Sequence, residues 1–253
     1  MIRTLYKLYL KHSLRYIGRM ILTVFNGLLR TFILVFFAQA FTSSSIAKAY
    51  GLTAMMLLVV VSEALRGAAF FFREQEYYGT FYRIFASPAS RILIVLAYSL
   101  ASSTLLLLDF FLMIAVGRLL GIHIIPGAMF RLASFSVRLS VFGFAMLISP
   151  IGIFAKNVAG PVINLVQTTI YLISGVFFPV SLLPKILQDI AYALPFTEAF
   201  EAFRGATVYH RPAEAIIEHS LPPMIRGIVM LALASIAIRL SERIAMRYGY
   251  ERL

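Results

Sequence analysis

The sequence predicts an all-α membrane protein with six transmembrane helices, and two features of it carry this prediction. Of the 253 residues, 60% are hydrophobic and 13% are charged, which is more apolar surface than a soluble domain of this length can bury. Apolar runs of about 18 residues or more recur along the chain, and each could cross a hydrocarbon core of about 30 Å as a helix. The runs are continuous rather than alternating, which favours helices over a β-barrel.

The net charge of +12 could indicate a nucleic-acid partner. The basic residues instead flank the apolar runs, with no soluble domain to form a groove, so we expect no nucleic-acid binding. The chain has no cysteine, which excludes disulfides, thiolate metal sites and a cysteine nucleophile. Its four histidines, His12, His123, His210 and His219, show no metal-ligand spacing. These observations argue against a metalloenzyme.

Residues 1–19 are predicted to form an amphipathic helix at the inner membrane surface. Basic residues recur at every fourth position on one face of this helix: Arg3, Lys7, Lys11, Arg15 and Arg19. The other faces are largely apolar, so such a helix can bury one side in the interface while its basic side contacts anionic lipid.

The chain is predicted to be a single transmembrane domain. The six spans, which form a bundle over residues 20–240, are placed at 20–41, 51–71, 92–120, 133–154, 161–178 and 224–240, and residues 241–253 form a cytoplasmic tail. Between spans five and six, Pro179, Pro184 and Pro195 divide residues 179–223 into pieces too short to cross a bilayer and too apolar to lie in water. We expect re-entrant or interfacial half-helices at the outer face.

The distribution of basic residues predicts the orientation. They are concentrated in the amino-terminal helix, in residues 72–91 and in the tail, whereas the segment after span five carries more acidic than basic side chains. Cytoplasmic segments are enriched in lysine and arginine. The sequence therefore predicts a multi-pass protein of the cell membrane with both termini in the cytoplasm.

Charged residues within the predicted spans indicate a buried ionic cluster. Glu63 and Arg66 lie one helical turn apart in span two, and Arg30 lies at a similar depth in span one. The sequence favours a purely structural role for this cluster over a role in substrate handling, because charges within a membrane are costly but need only a partner. Asp109 lies in the outer half of span three, where either Arg138 or Arg226 could neutralise it.

Residues 72–91 form a polar island between two apolar runs. Its charged residues Arg73, Glu74, Glu76 and Arg83 interleave with Tyr77, Tyr78, Phe81, Tyr82 and Phe85. As a helix it would carry charges on one side and aromatic rings on the other, until Pro88 ends it. This pattern fits either a loop between spans or a helix that docks on a partner.

Two stretches resemble a known family, the membrane permease subunits of ABC transporters of the type-2 exporter class. Residues 73–80, REQEYYGT, with Ser87-Pro88 further on, resemble the family's cytoplasmic segment after span two. Residues 174–179, SGVFFP, followed by Pro184, Pro195 and the EAFR stretch at 201–204, resemble its region from span five through the re-entrant segment. With the six predicted spans, the resemblance covers nearly the whole chain.

The resemblance implies roles for particular residues. The polar island would be a coupling helix that docks on an ATPase subunit through Glu74, Glu76, Gly79, Thr80 and Arg83, with a smaller contact at Lys156 and Asn157 in the inner turn. Two copies of the permease would pair about a two-fold axis, and spans two and five would line the pathway. Polar residues along span five, Asn164, Gln167 and Tyr171, fit such a lining, and Phe177, Phe178 and Pro179 would lie near the outer gate.

The chain lacks the phosphate-binding motif Gly-x-x-x-x-Gly-Lys-Ser/Thr, so ATP and Mg are expected on a separate ATPase subunit and no cofactor on this chain. The expected function is transport by alternating access, with an apolar or amphipathic cargo such as a drug, a lipid or a lipid-linked molecule, because the predicted lining of spans two and five is aromatic and uncharged. A glycan exporter of the same fold stays open. So does an ion-coupled carrier or channel that uses Glu63 or Asp109.

Overall fold

The computed structural model describes residues 2–15, 17–41, 44–80, 83–84, 87, 90–154 and 158–248, and these ranges contain helices and turns but no strand. The α-helices are α1 (Ile2–Arg15), α2 (Ile17–Phe41), α3 (Ser45–Ala64), α4 (Phe71–Tyr77), α5 (Arg91–Leu119), α6 (Ala128–Ile148), α7 (Ile151–Phe154), α8 (Ala159–Ile173), α9 (Lys185–Ala193), α10 (Thr197–Thr207) and α11 (Ala213–Tyr248). A 3₁₀ turn, Val180–Leu182, precedes α9. The predicted all-α class is confirmed.

Four stretches of described helix are long and apolar enough to cross a membrane: Ser45–Ala69, Arg91–Leu119, Ala128–Phe154 and Ala213–Ile244. They correspond to predicted spans two, three, four and six. Span one corresponds to α2, which is not among the four, and span five corresponds to α8, whose 15 residues are shorter than the bilayer core. A multi-pass membrane protein is therefore established, while the six-span layout stays a prediction.

A π-helical segment, Leu65–Ala69, continues α3 almost directly into α4. The hydroxyl of Ser99 on α5 donates a hydrogen bond to the carbonyl of Gly67 within this segment. A π turn widens the helix and is often found at functional sites. Here it joins the second predicted span to the polar island, and a bend at Phe70 separates the π segment from α4.

The most extensive helix contact in the described chain joins α6 and α11. A Cβ atom added at Gly143 would lie 2.4 Å from the carbonyl oxygen of Gly227, so the two backbones touch at this crossing. The hydroxyl of Ser136 also donates to the carbonyl of Ser220, at 2.7 Å. Small residues and interhelical hydrogen bonds of this kind hold membrane helices together.

The last helix differs from the prediction. We expected it to begin at residue 224 after a proline-interrupted outer segment, but α11 begins at Ala213 and contains Pro222 and Pro223. Residues 213–223 therefore belong to the long helix and not to a half-helix. A membrane helix packed against other helices can retain prolines, because side chains of those helices bind the backbone groups that the prolines leave without a partner. Here the Ser136 hydroxyl donates to the Ser220 carbonyl, close to these two prolines.

Helix α1 packs along α5, a contact that the sequence did not predict. The hydroxyls of Tyr6 and Thr104 are hydrogen bonded at 2.9 Å, and the Tyr9 ring meets the Tyr98 ring edge to face at 5.2 Å between centroids. The apolar and aromatic side of α1 is thus covered at least partly by protein, while basic residues such as Lys7 and Lys11 are exposed.

The core on the predicted outer side is aromatic. Phe196, Phe200 and Phe203, at and within α10, are fully or almost fully buried, and Phe203 packs on Phe130 of α6 with 5.6 Å between ring centroids. An 11-residue helix cannot cross a bilayer by itself. Its burial fits a short helix enclosed by longer ones.

Candidate functional site

A cavity of about 570 Å³ lies among α2, α3, the π segment, α4, α5 and α8, and we call it the central cavity. Its charged lining residues are Glu63, Arg66, Arg73, Glu74 and Asp109. Leu58, Val59 and Phe70 supply apolar surface, and Asn26, Ser62 and Gln167 supply uncharged polar groups. The volume lies in the range of small-molecule sites, about 300–1,000 Å³. We expected an uncharged lining, whereas the lining of this cavity is rich in charge.

The structure describes the side chains of two of the three residues predicted to form an ionic cluster. Glu63 and Arg66 form an ion pair across one turn, with the carboxylate side chain largely buried and the guanidinium about half exposed. Arg30 lies on α2, but its side chain is outside the described residues. The local spacing of Glu63 and Arg66 explains why this pair could be predicted.

Asp109 has a different environment from the one expected. Neither proposed partner reaches it, because Arg226 pairs with Glu198 on α10 and Arg138 lies over the Phe110 ring at 5.0 Å. Among the side chains that the structure describes, none forms an ion pair or hydrogen bond with the Asp109 carboxylate. Asp109 instead faces the central cavity, which also contains Arg66.

A hydrogen-bonded cluster joins α8 to α3 beside the central cavity. The hydroxyls of Ser62 and Tyr171 lie 2.6 Å apart, and the Gln167 amide donates to Ser62 at 3.2 Å and to Tyr171 at 2.5 Å. Two of the three residues predicted to line the pathway on span five, Gln167 and Tyr171, therefore lie in this helix seam. The third, Asn164, is exposed on α8.

The polar island forms a short helix with one anchored side. Phe71 and Phe72 are fully buried, and Gly152 and Gly160 allow close approach of α4 to α7 and the start of α8. A Cβ atom at Gly160 would overlap the guanidinium of Arg73, so that side chain lies directly on the glycine. Helix α4 is thus fixed to the bundle through its buried side.

The structure describes five of the seven residues predicted to contact the ATPase, and among them Thr80 is half-buried. Glu76, Gly79 and Arg83 are exposed, as are Tyr77 and Tyr78. Glu74 is half-buried and accepts a hydrogen bond from Tyr98 on α5 at 2.7 Å. Lys156 and Asn157 lie outside the described residues.

Local structure explains where α4 ends. Gly79 adopts a left-handed conformation, with φ of 65°, which favours glycine at the end of a helix. The Thr80 hydroxyl then donates to the Gln75 side-chain oxygen at 2.7 Å. These contacts present Glu76, Tyr77 and Gly79 as one exposed tip, which we call the α4 tip.

A buried arginine holds the turn after α8. Arg204 on α10 is 4% exposed, donates to the carbonyls of Gly175 and Val176, and lies over the Tyr50 ring at 4.0 Å. Burial lowers the pKa of its guanidinium to about 10, which leaves it protonated at neutral pH. Gly175, with φ of 77°, provides the backbone geometry for the turn.

The carbonyls that Arg204 binds directly precede the residues of the predicted outer gate. Phe177 is partly exposed and meets the Tyr171 ring at 6.0 Å between centroids, while Phe178 and Pro179 are half-buried. Arg204 belongs to a stretch of family resemblance, but the sequence predicted no contact for it. Its acceptors are 29 and 28 residues away along the chain, and no local pattern reveals such a pair.

Comparison with known proteins identifies a family whose model matches this chain. The family model described as ABC-2 type transporter matches residues 1–208, most of the chain. The match includes the central cavity, α4 and the turn held by Arg204. No curated protein matches the chain.

Proposed function

The chain belongs to the ABC-2 type transporter family, and on this premise we propose that it is the permease subunit of an ATP-driven exporter. It moves an apolar or amphipathic cargo outward through the bilayer by alternating access. A separate ATPase subunit binds ATP and Mg and supplies the energy, and two copies of the permease pair in the cell membrane with their termini in the cytoplasm.

The direct connection of α3 to α4, through the π segment and the bend at Phe70, is the observation that carries this proposal. The carboxyl-terminal end of this connected segment presents the α4 tip, and Glu63, Arg66 and Phe70 earlier in the segment line the central cavity. Phe71 and Phe72 anchor α4 in the core. A displacement of the tip by a partner would therefore move the wall of the cavity, since a packed element transmits motion as a unit.

A second candidate function is an ion-coupled carrier, because Asp109 faces the cavity as a carboxylate within a predicted span. In a carrier of this kind, transport would follow a proton or cation gradient in the absence of ATP. In the exporter, transport needs ATP and the ATPase subunit. Transport in vesicles with and without ATP separates the two functions.

Charge reversal at the α4 tip tests the docking role. We expect Glu76→Arg to reduce ATPase stimulation in the reconstituted complex by about tenfold or more, because an interfacial charge reversal costs several kcal/mol. Glu76 is preferable to Glu74, since a change at Glu74 also breaks the bond from Tyr98. Stimulation is measured as phosphate release in lipid nanodiscs.

Glu214→Arg is the matched control for this experiment. Glu214 is also exposed, but it lies in the first turn of α11, at the predicted outer face. This variant should stimulate the ATPase as the unaltered chain does. Equal stimulation by the Glu76→Arg chain and the unaltered chain would contradict docking at the α4 tip.

A further inference from the structure

Among the side chains that the structure describes, the charges that line the central cavity do not balance. Three carboxylates, those of Glu63, Glu74 and Asp109, face two guanidiniums, those of Arg66 and Arg73. Glu63 is paired with Arg66, and Glu74 accepts a hydrogen bond from Tyr98. Asp109 is the carboxylate for which the described side chains supply neither an ion pair nor a hydrogen bond.

The position of Asp109 makes this imbalance costly. It lies 18 residues after Arg91 in α5, which corresponds to about 27 Å along a helix that starts at the predicted cytoplasmic side. A carboxylate at such a place in a membrane helix needs water, a cation or a bound partner. The cavity gives a ligand access to it.

Apolar groups and an aromatic ring line another part of the cavity. Leu58 and Val59 on α3 and Phe70 after the π segment offer surface for a hydrophobic body. Aromatic faces attract cations as well as apolar groups. An amphipathic cation is complementary to this site, because Asp109 has no pairing partner among the described side chains and the nearby walls are apolar and include the ring of Phe70.

We propose that the central cavity binds an amphipathic organic cation, with the cationic group at Asp109 and the apolar body against Leu58, Val59 and Phe70. This inference rests on the proposed function, because it specifies the charge of the exported cargo. It excludes anionic cargo such as an acidic glycan from the same site. Ligand binding needs neither ATP nor the ATPase, so it can be tested separately from the export function.

The test uses two lipophilic ions of nearly the same shape and opposite charge, tetraphenylphosphonium and tetraphenylborate. Binding of each labelled ion to the full-length chain is measured in nanodiscs of zwitterionic lipid without ATPase or nucleotide, and binding to empty nanodiscs is subtracted. We expect the unaltered chain to bind the phosphonium more tightly. Equal or tighter binding of the borate overturns the proposal, and this comparison requires no variant.

Variants of Asp109 test whether this residue causes the preference for the phosphonium over the borate. Asp109→Asn should weaken phosphonium binding by about tenfold or more, which is typical for loss of a contact to a charged group. Asp109→Glu keeps the charge and should retain the preference for the cation. Asp189→Asn on α9, which removes an exposed carboxylate away from the cavity, should bind both ions as the unaltered chain does. Unchanged phosphonium binding by Asp109→Asn overturns the proposal.

Arg30 requires its own variant, because it lies on α2 one turn after Asn26, which lines the cavity. Under the proposal, Arg30→Gln leaves the preference for the phosphonium unchanged or strengthens it. If the unaltered chain shows no preference and Arg30→Gln creates one, Arg30 neutralises Asp109 and the proposal fails. ATPase stimulation is measured in parallel on the same chain. If the chain stimulates the ATPase but shows no preference for the cation, the cation proposal fails and the proposed export function does not.

Discussion

Gly143→Val is expected to destabilise the protein by about 3 kcal/mol or more, the upper end of overpacking costs. Even the first carbon of the new side chain would lie 2.4 Å from the carbonyl oxygen of Gly227 and 3.1 Å from its Cα atom. These atoms belong to backbone and cannot turn aside, so α6 and α11 must separate. Their separation would also strain the hydrogen bond between Ser136 and Ser220.

Thermal stability in detergent measures this effect, with size-exclusion chromatography of the remaining monodisperse protein after heating. Gly18→Val is the matched control, because Gly18 is helical and exposed and a Cβ atom there would meet nothing within 4 Å. The control should melt close to the unaltered protein. If Gly143→Val melts at the same temperature as Gly18→Val, the close crossing of α6 and α11 is incorrect.

Arg204→Lys is expected to destabilise the protein to a similar degree, with a loss of about 2–5 kcal/mol. Lysine keeps the positive charge but lacks the planar fork that binds two carbonyls at once. The Gly175 and Val176 carbonyls would then lose their donor while buried, and the contact with the Tyr50 ring would weaken. The turn that leads to Phe177 and Pro179 would be released from α10.

Arg211→Lys provides the matched control for this substitution. Arg211 is exposed and lies over the Tyr209 ring at 5.7 Å, so it contributes little burial. Thermal stability should fall for Arg204→Lys and stay nearly constant for Arg211→Lys. Limited proteolysis at the loop after α8 should accelerate only in the Arg204 variant; equal stability and cleavage in the two variants would contradict the structural role of Arg204.

The long helices were predictable because hydrophobic runs are local. The third predicted span, 92–120, agrees with α5 to within one residue at each end, and the second lies within the Ser45–Ala69 helix except for its last two residues. The pair of Glu63 and Arg66 was predictable for the same reason, since it spans one helical turn. The π segment was not predictable, because its hydrogen bond from Ser99 depends on the position of α5.

The features that the sequence analysis missed depend on contacts between segments that are distant in the sequence. Asp109 has two arginines at plausible depths in sequence, but whether they face it depends on helix rotation, and Glu198 binds one of them. The small residues Ser136 and Gly143 are visible in the sequence, although their partner helix is not. The inward position of Glu74 likewise follows from Tyr98, which belongs to another helix.

The central claim is that this permease is driven by a separate ATPase, and co-purification followed by reconstitution tests it most directly. The tagged chain is expressed with its candidate ATPase, purified in lipid and assayed for ATP hydrolysis and for cargo movement with and without ATP. We predict a stable complex whose cargo movement requires ATP hydrolysis. A chain that purifies without the ATPase and moves cargo along a proton gradient without ATP would contradict the claim and would make Glu63 and Asp109 the residues to titrate.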